Sequence, residues 1–188
     1  AITQQNLDQS SAFEEKYLAK IKGVDVSALS GQDLLSYEIF LRDRNVAIKG
    51  AQFPGHLMPI HQMGGAHSYF ASLGSGESAQ PFDTADDYRN FMSRAQGFAT
   101  YMDSAIVAMT EGIEKSIVLP KPLIKKVLPQ LQVHILEDVT NSVFYAPLEK
   151  LKDNSNITNA DKEQITKDYI DTIKNTIIPA YNRVHQFM

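Results

Sequence analysis

The stretch from Pro81 to Leu131, PFDTADDYRNFMSRAQGFATYMDSAIVAMTEGIEKSIVLPKPLIKKVLPQL, constrains the fold more than any other part of the chain. Tyr88, Phe91, Met92, Ala95, Phe98, Met102, Ala105, Ile106, Met109 and Ile113 recur mostly at steps of three or four. That period lays an apolar stripe along one helical face, and the stripe has to be buried against other elements. Thr84 stands three residues before Asp87, an acidic variant of the capping box, so the helix starts there. Gly97 predicts a break into two helices meeting at an angle, and Gly112 with the LPKP segment closes the run. Pro120 and Pro122 turn their predecessors away from helical angles and suit the first turn of the next helix.

The flanks repeat the helical period. Asn6 to Ile21 reads as a short amphipathic helix ended by Gly23, and Ser30 caps a second one running to about Lys49. Glu38 and Arg42, four apart, add only about 0.2–0.5 kcal/mol to it. Gly50 to Gly65, GAQFPGHLMPIHQMGG, cannot sustain a helix, having two prolines and four glycines in sixteen residues. Its Phe53, Leu57, Met58, Ile60 and Met63 predict an ordered loop packed on protein. The Gly64 and Gly65 pair then permits a tight turn into a helix carrying His67, Tyr69, Phe70 and Leu73, followed by a flexible SLGSGESAQ linker. Beyond the central block, Lys121 to Leu136 predicts a helix kinked at Pro129. Thr158 opens a last helix with Ile165, Tyr169, Ile173, Ile177, Ala180, Tyr181 and Val184 on one face, bent near its end by Pro179. No strand alternation and no repeat is visible, so the expected class is all-α: an irregular multi-helix bundle with one long Gly/Pro-rich connecting loop, residues 1–188 forming a single helical domain.

A chain of 188 residues is long enough to bury about 70% of its unfolded surface. The eighteen Lys and Arg are scattered among twenty-two acids, which gives a net charge of -4 and no basic face for nucleic acid. The absence of cysteine excludes disulfides, thiolate nucleophiles and Cys-ligated zinc. There is no apolar run of the ~18 residues that a membrane span takes. The start at Ala1 suggests a processed or trimmed N-terminus, and HQFM stops in mid-helix without a Gly cap, as a cut chain would.

His56, His61 and His67 lie within twelve residues, yet their spacing does not make a metal site. A helical zinc pair places its imidazoles at i and i+4 with a Glu between, whereas His56 and His61 are five apart across a proline. A loop joining helices is nonetheless where binding residues are commonly held, so His56, His61, Gly64, Gly65 and His67 are the substrate-cleft candidates. Asp86 and Asp87 are explained by the helix dipole, and Glu111 with Glu114 reads as solvated surface. No Gly-x-Ser-x-Gly elbow is present, and GSGES at Gly74 to Ser78 lacks the strand and the Lys of a phosphate loop.

Several of these pieces, in this order, carry a resemblance. PF-x-T-x-x-DY at Pro81 to Tyr88, Arg94, the Tyr101, Met102 and Asp103 run, Met109 with Gly112, and VLPKPLIKKVLPQL are joined by QMGGAHSYFASL, FYAPL and IIPAYNRVHQF. Together they resemble the N-terminal half of the bacterial family known as domain of unknown function 885, whose members look like helical zinc peptidases. The resemblance implies that a zinc-binding HExxH helix belongs to a C-terminal half, and no HExxH occurs in this sequence. It implies that this chain has no catalytic residue, metal ligand or cofactor of its own, with zinc expected only in the other half. The implied partners are that catalytic half and a peptide substrate, and the implied home is extracytoplasmic, periplasmic or as a lipoprotein. The implied role is one wall of the substrate cleft; the other expectation is a stand-alone helical module that binds a ligand or protein without enzymatic activity. An apolar surface left uncovered by the missing half predicts self-association.

Overall fold

The computed structural model describes all 188 residues, and they contain helices and turns but no strand. The sole β pairing is an isolated bridge between His61 and Gly64. The chain divides into two compact units, Ile2–His56 and Leu57–Met188.

The first unit is a helical hairpin. Helix α1 (Gln4–Lys22) begins where the Thr3 side chain accepts from the Asn6 N–H and ends at Gly23; α2 (Gly31–Gly50) follows a 3-10 turn at Val26–Ala28. Neither helix contains a fully buried residue. The hairpin is pinned midway by Arg44, whose guanidinium reaches Glu14 at 3.0 Å and lies over the Phe40 ring. Phe13, Leu35, Ile39, Val46 and Phe53 stay exposed, so this unit has an apolar outer surface as well as an inner one.

The second unit is built on α4 (Ala85–Glu114), thirty residues and so about 45 Å long. The Thr84 hydroxyl accepts from the Asp87 N–H while the Asp87 carboxylate accepts from the Thr84 N–H, which satisfies two otherwise orphaned donors. The expected break at Gly97 does not occur: α4 runs through it uninterrupted. Gly97 lies on the exposed side, and its cost of about 1 kcal/mol is outweighed by the stripe on the opposite face. That stripe, Tyr88, Phe91, Ala95, Phe98, Met102, Ala105 and Met109, is buried beneath α3 (Ala66–Gly74), α7 (Asn159–Thr172) and α8 (Ile178–Phe187). Its centre is aromatic. Phe70 stacks on Phe98 at 4.0 Å and on Phe91 at 5.2 Å, and Phe82, Tyr88 and Tyr169 extend the cluster. The Tyr88 hydroxyl donates to the Pro147 carbonyl at 2.9 Å, and burial pushes its pKa up to about 12.

The remaining elements close the core. Helix α5 (Lys121–Gln132) contains Pro129 and stops three residues later, and α6 (Ala146–Asp153) follows two 3-10 turns. Between α7 and α8 the chain makes a π turn at Ile173–Ile177, immediately before Pro179. Proline has no N–H to give the turn before it, and the wider π turn absorbs that loss. The SLGSGESAQ segment is not a free linker. Gly74 finishes α3 inside the core, and Lys150 binds the Gly76 carbonyl at 3.2 Å and the Glu77 carboxylate at 2.6 Å. No helix is long and apolar enough to cross a membrane.

Candidate functional site

The loop entering α3 is held by backbone geometry that glycine alone supplies easily. Gly64 and Gly65 have φ of 152° and 132°, and Gly64 exchanges backbone hydrogen bonds with His61 at 3.1 and 3.4 Å. A Cβ on Gly65 would stand 2.9 Å from the Pro59 carbonyl oxygen and 3.2 Å from His67 Nδ1. The pair therefore lets the loop close directly over the His67 ring.

His67 is 1% exposed. Its Nε2 meets Gln130 Oε1 at 3.3 Å, while Gln130 Nε2 donates to the Gln62 carbonyl at 3.1 Å. With the Gln130 amide so oriented, Nε2 is the protonated nitrogen of a neutral ring, and Nδ1 is an acceptor with no partner. Burial lowers the His67 pKa, against the bond to Gln130, and charge on His61 lowers it further. The His67 carbonyl accepts from the Tyr181 hydroxyl at 2.6 Å. His134 packs on the Tyr181 ring at 4.5 Å, and its pKa is lowered by burial and then by His67. This network, buried at His67 and Tyr181 and half-buried at Gln130 and His134, ties the loop to α3, α5 and α8.

The same loop contributes to an apolar groove. Gly112 allows the chain after α4 to fold back, since a Cβ there would lie 2.7 Å from the Ile117 carbonyl oxygen and 3.2 Å from that of Leu57. Ile117, Val118 and Leu119 then face Leu57 and Met58 across a space of about 100 Å³, with Met109, Ile113, Ile124, Phe187 and Met188 completing the lining. A space of that size takes a single apolar side chain, being well below the roughly 300 Å³ at which small-molecule pockets begin.

The five sequence candidates thus divide. His61, Gly64, Gly65 and His67 belong to one structure, the locked loop of the second unit. His56 belongs to the hairpin unit, where it borders a recess with Asp8, Glu14 and Phe53. No three His, Cys, Asp or Glu side chains in the chain are grouped so as to hold a metal ion. Gln130 and Tyr181 fall within the VLPKPLIKKVLPQL and IIPAYNRVHQF segments, and Leu57 and Met58 among the apolar loop residues, but nothing in the sequence ties them to His67 or to a groove, and His134 lies outside every motif.

A family model described as a bacterial protein of unknown function (DUF885) matches residues 1–188, the whole chain. No curated protein and no solved structure matches it.

Proposed function

We propose, from the premise that this chain belongs to the bacterial DUF885 family, that it is a non-catalytic helical part of a zinc-peptidase-like protein and forms a wall of its substrate cleft. The observation that carries this reading is the locked loop. Its first two residues, Leu57 and Met58, open an apolar groove sized for one side chain, while Gln130 and the Gly64–Gly65 turn keep the loop from moving. A wall so fixed holds a peptide side chain in one place and spends little entropy doing so. The contribution assigned to this chain is positioning.

The test uses the full-length parent protein and peptide hydrolysis. Met58→Glu, which sets a carboxylate at the groove, is expected to raise KM at least ten-fold for peptides with a large apolar side chain and to leave kcat within about two-fold. Alanine at Gln130, which removes the bonds to His67 and to the Gln62 carbonyl, is expected to raise KM less, by loosening the loop. Hydrolysis untouched by both changes in folded protein would sink the proposal.

A second reading, a helical module that binds a partner without catalysis, is favoured by the hairpin Ile2–His56, whose Phe13, Leu35, Ile39 and Val46 face outward. Binding of a peptide by the parent without any turnover of it would select that reading.

A further inference from the structure

Three arginines lie in Leu57–Met188, and two of them hold carboxylates: Arg89 reaches Asp86 at 2.9 Å and Asp161 at 3.1 Å, and Arg183 reaches Asp103 at 2.7 Å. Arg94 is held differently. Its Nη1 donates to Oε1 of Gln80 at 2.7 Å. Gln80 is 5% exposed, and its Nε2 is committed to the Pro81 carbonyl at 2.8 Å. The amide cannot turn over without losing both bonds, so it fixes the direction of the guanidinium. Being neutral, it brings no countercharge of its own.

A guanidinium has five N–H donors in a fixed fork, and Gln80 occupies one of them. Arg94 borders a groove of about 470 Å³, together with Pro81, Asp87, Asn90 and Ser93. Asp87, Asn90 and Arg94 are spaced by three and four and share one face of α4. Asp87 is the lone carboxylate of that lining. Its Oδ2 accepts from the Asp83 N–H at 3.1 Å and from the Thr84 N–H and hydroxyl at 2.8 Å each, which keeps it ionised. The face therefore presents one oriented cation and one fixed negative charge. A dianionic phosphate would meet a single cation and a like charge, whereas a carboxylate matches the fork with two parallel hydrogen bonds and brings only one charge.

We infer that the groove over Arg94 is a binding site for a carboxylate group, with Asn90 and Ser93 as its side hydrogen-bonding partners. The inference stands apart from the cleft-wall reading, since it uses none of the residues of the locked loop. Two sources carry this chemistry, a small free carboxylic acid and the C-terminal carboxylate of a peptide.

The experiment is a titration of the 15N-labelled chain at pH 7 and constant ionic strength, following the Arg94 Nε–H and Asn90 side-chain amide signals. The probes are acetate, N-acetyl-alanyl-alanine, the C-terminal amide of that dipeptide, and inorganic phosphate. Saturable shifts with both acids and none with the amide are expected, with phosphate at least three-fold weaker than the peptide acid. A peptide acid at least five-fold tighter than acetate assigns the site to a peptide C-terminus, and equal affinity assigns it to a small acid. Arg94→Gln should abolish the shifts. Arg94→Lys, which keeps the charge and loses the fork, should weaken the peptide acid at least five-fold with the backbone amide spectrum otherwise preserved. No saturable shift with either acid, the same shift with the amide, or wild-type affinity in Arg94→Lys would overturn the inference.

Discussion

Gly74 and Gly97 are both helical glycines, and the structure assigns opposite signs to the same change at the two positions. A Cβ on Gly74 would lie 2.3 and 2.6 Å from two ring carbons of Phe144 and 2.9 Å from the tip of Phe91. Ordinary contact begins at 3.4 Å, so the Phe144 ring must retreat by about 1.1 Å, the difference between 3.4 and 2.3 Å. That ring is fully buried, with Phe70 and Tyr181 against it at 5.5 and 6.1 Å, and has nowhere to retreat without moving them. Gly74 is the last residue of α3, so the helical preference of alanine offsets little. Gly74→Ala should therefore cost about 2 kcal/mol, which lowers Tm by about 4–8 °C in a chain of this size. Gly97→Ala meets no atom within 4 Å in the middle of α4 and should stabilise by about 0.8–1 kcal/mol. The assay is urea unfolding of both variants, with Gly74→Ala repeated in a Phe144→Leu background, where the smaller side chain should relieve at least half of the cost. Equal midpoints for Gly74→Ala and wild type, or an undiminished cost in the Phe144→Leu background, would refute the packing argument.

Acid should destabilise the second unit before its carboxylates titrate. The folded pKa values of His67 and His134 are lowered from 6.5, so below that pH the unfolded chain binds more protons and stability falls as pH falls. The slope can reach about 1.4 kcal/mol per pH unit for each ring, and urea midpoints between pH 7 and 5 should lose part of this dependence in His67→Gln. Carboxylates held low by hydrogen bonds, such as Asp87, act in a separate window below their ordinary value of 3.8. Tyr181→Phe removes the 2.6 Å donor from the His67 carbonyl and should cost about 1 kcal/mol in the same assay. Thr84→Ala breaks the capping box at about 1 kcal/mol, and the Asp87 carboxyl should then titrate at higher pH by side-chain NMR.

Helix α4 is legible in the sequence because burial acts on a period: of the ten-residue stripe, Tyr88, Phe91, Ala95, Phe98, Met102, Ala105 and Met109 are buried, Met92 and Ile106 lie half-buried at its edge, and Ile113, past the packed length, is exposed. Thr84 and Asp87 are legible for a local reason, since both partners of the cap lie within one turn. Gly97 misleads because a propensity of about 1 kcal/mol is small beside the burial of a stripe that continues on both sides of it. SLGSGESAQ misleads in the other direction. Its composition predicts flexibility, but the anchor is Lys150, more than seventy residues away, and composition is blind to such a partner. The same distance hides the candidate site: His67 stands out beside His56 and His61, while the groups that set its tautomer and its burial are Gln130, His134 and Tyr181, sixty-three to one hundred and fourteen residues on.

The π turn at Ile173–Ile177 bears on how the last helix keeps time with the core. Tyr169, Ile173, Ile177 and Tyr181 are all buried and stand four residues apart, and in a pure α-helix each step of four advances the face by about 40°. The wider turn takes up that advance, so the Tyr181 hydroxyl arrives under the His67 carbonyl instead of rotating away from it. It acts as a phase spacer, and the spacer is counted in residues and not in side-chain types. Lys174 and Asn175 are exposed and open to almost any replacement, and removing one of them would let the wide turn close to an ordinary α turn, leaving Tyr181 within about 20° of the Tyr169 face. This segment should accept many substitutions and a single deletion, whereas one added residue would turn the Tyr181 face away by about 100°.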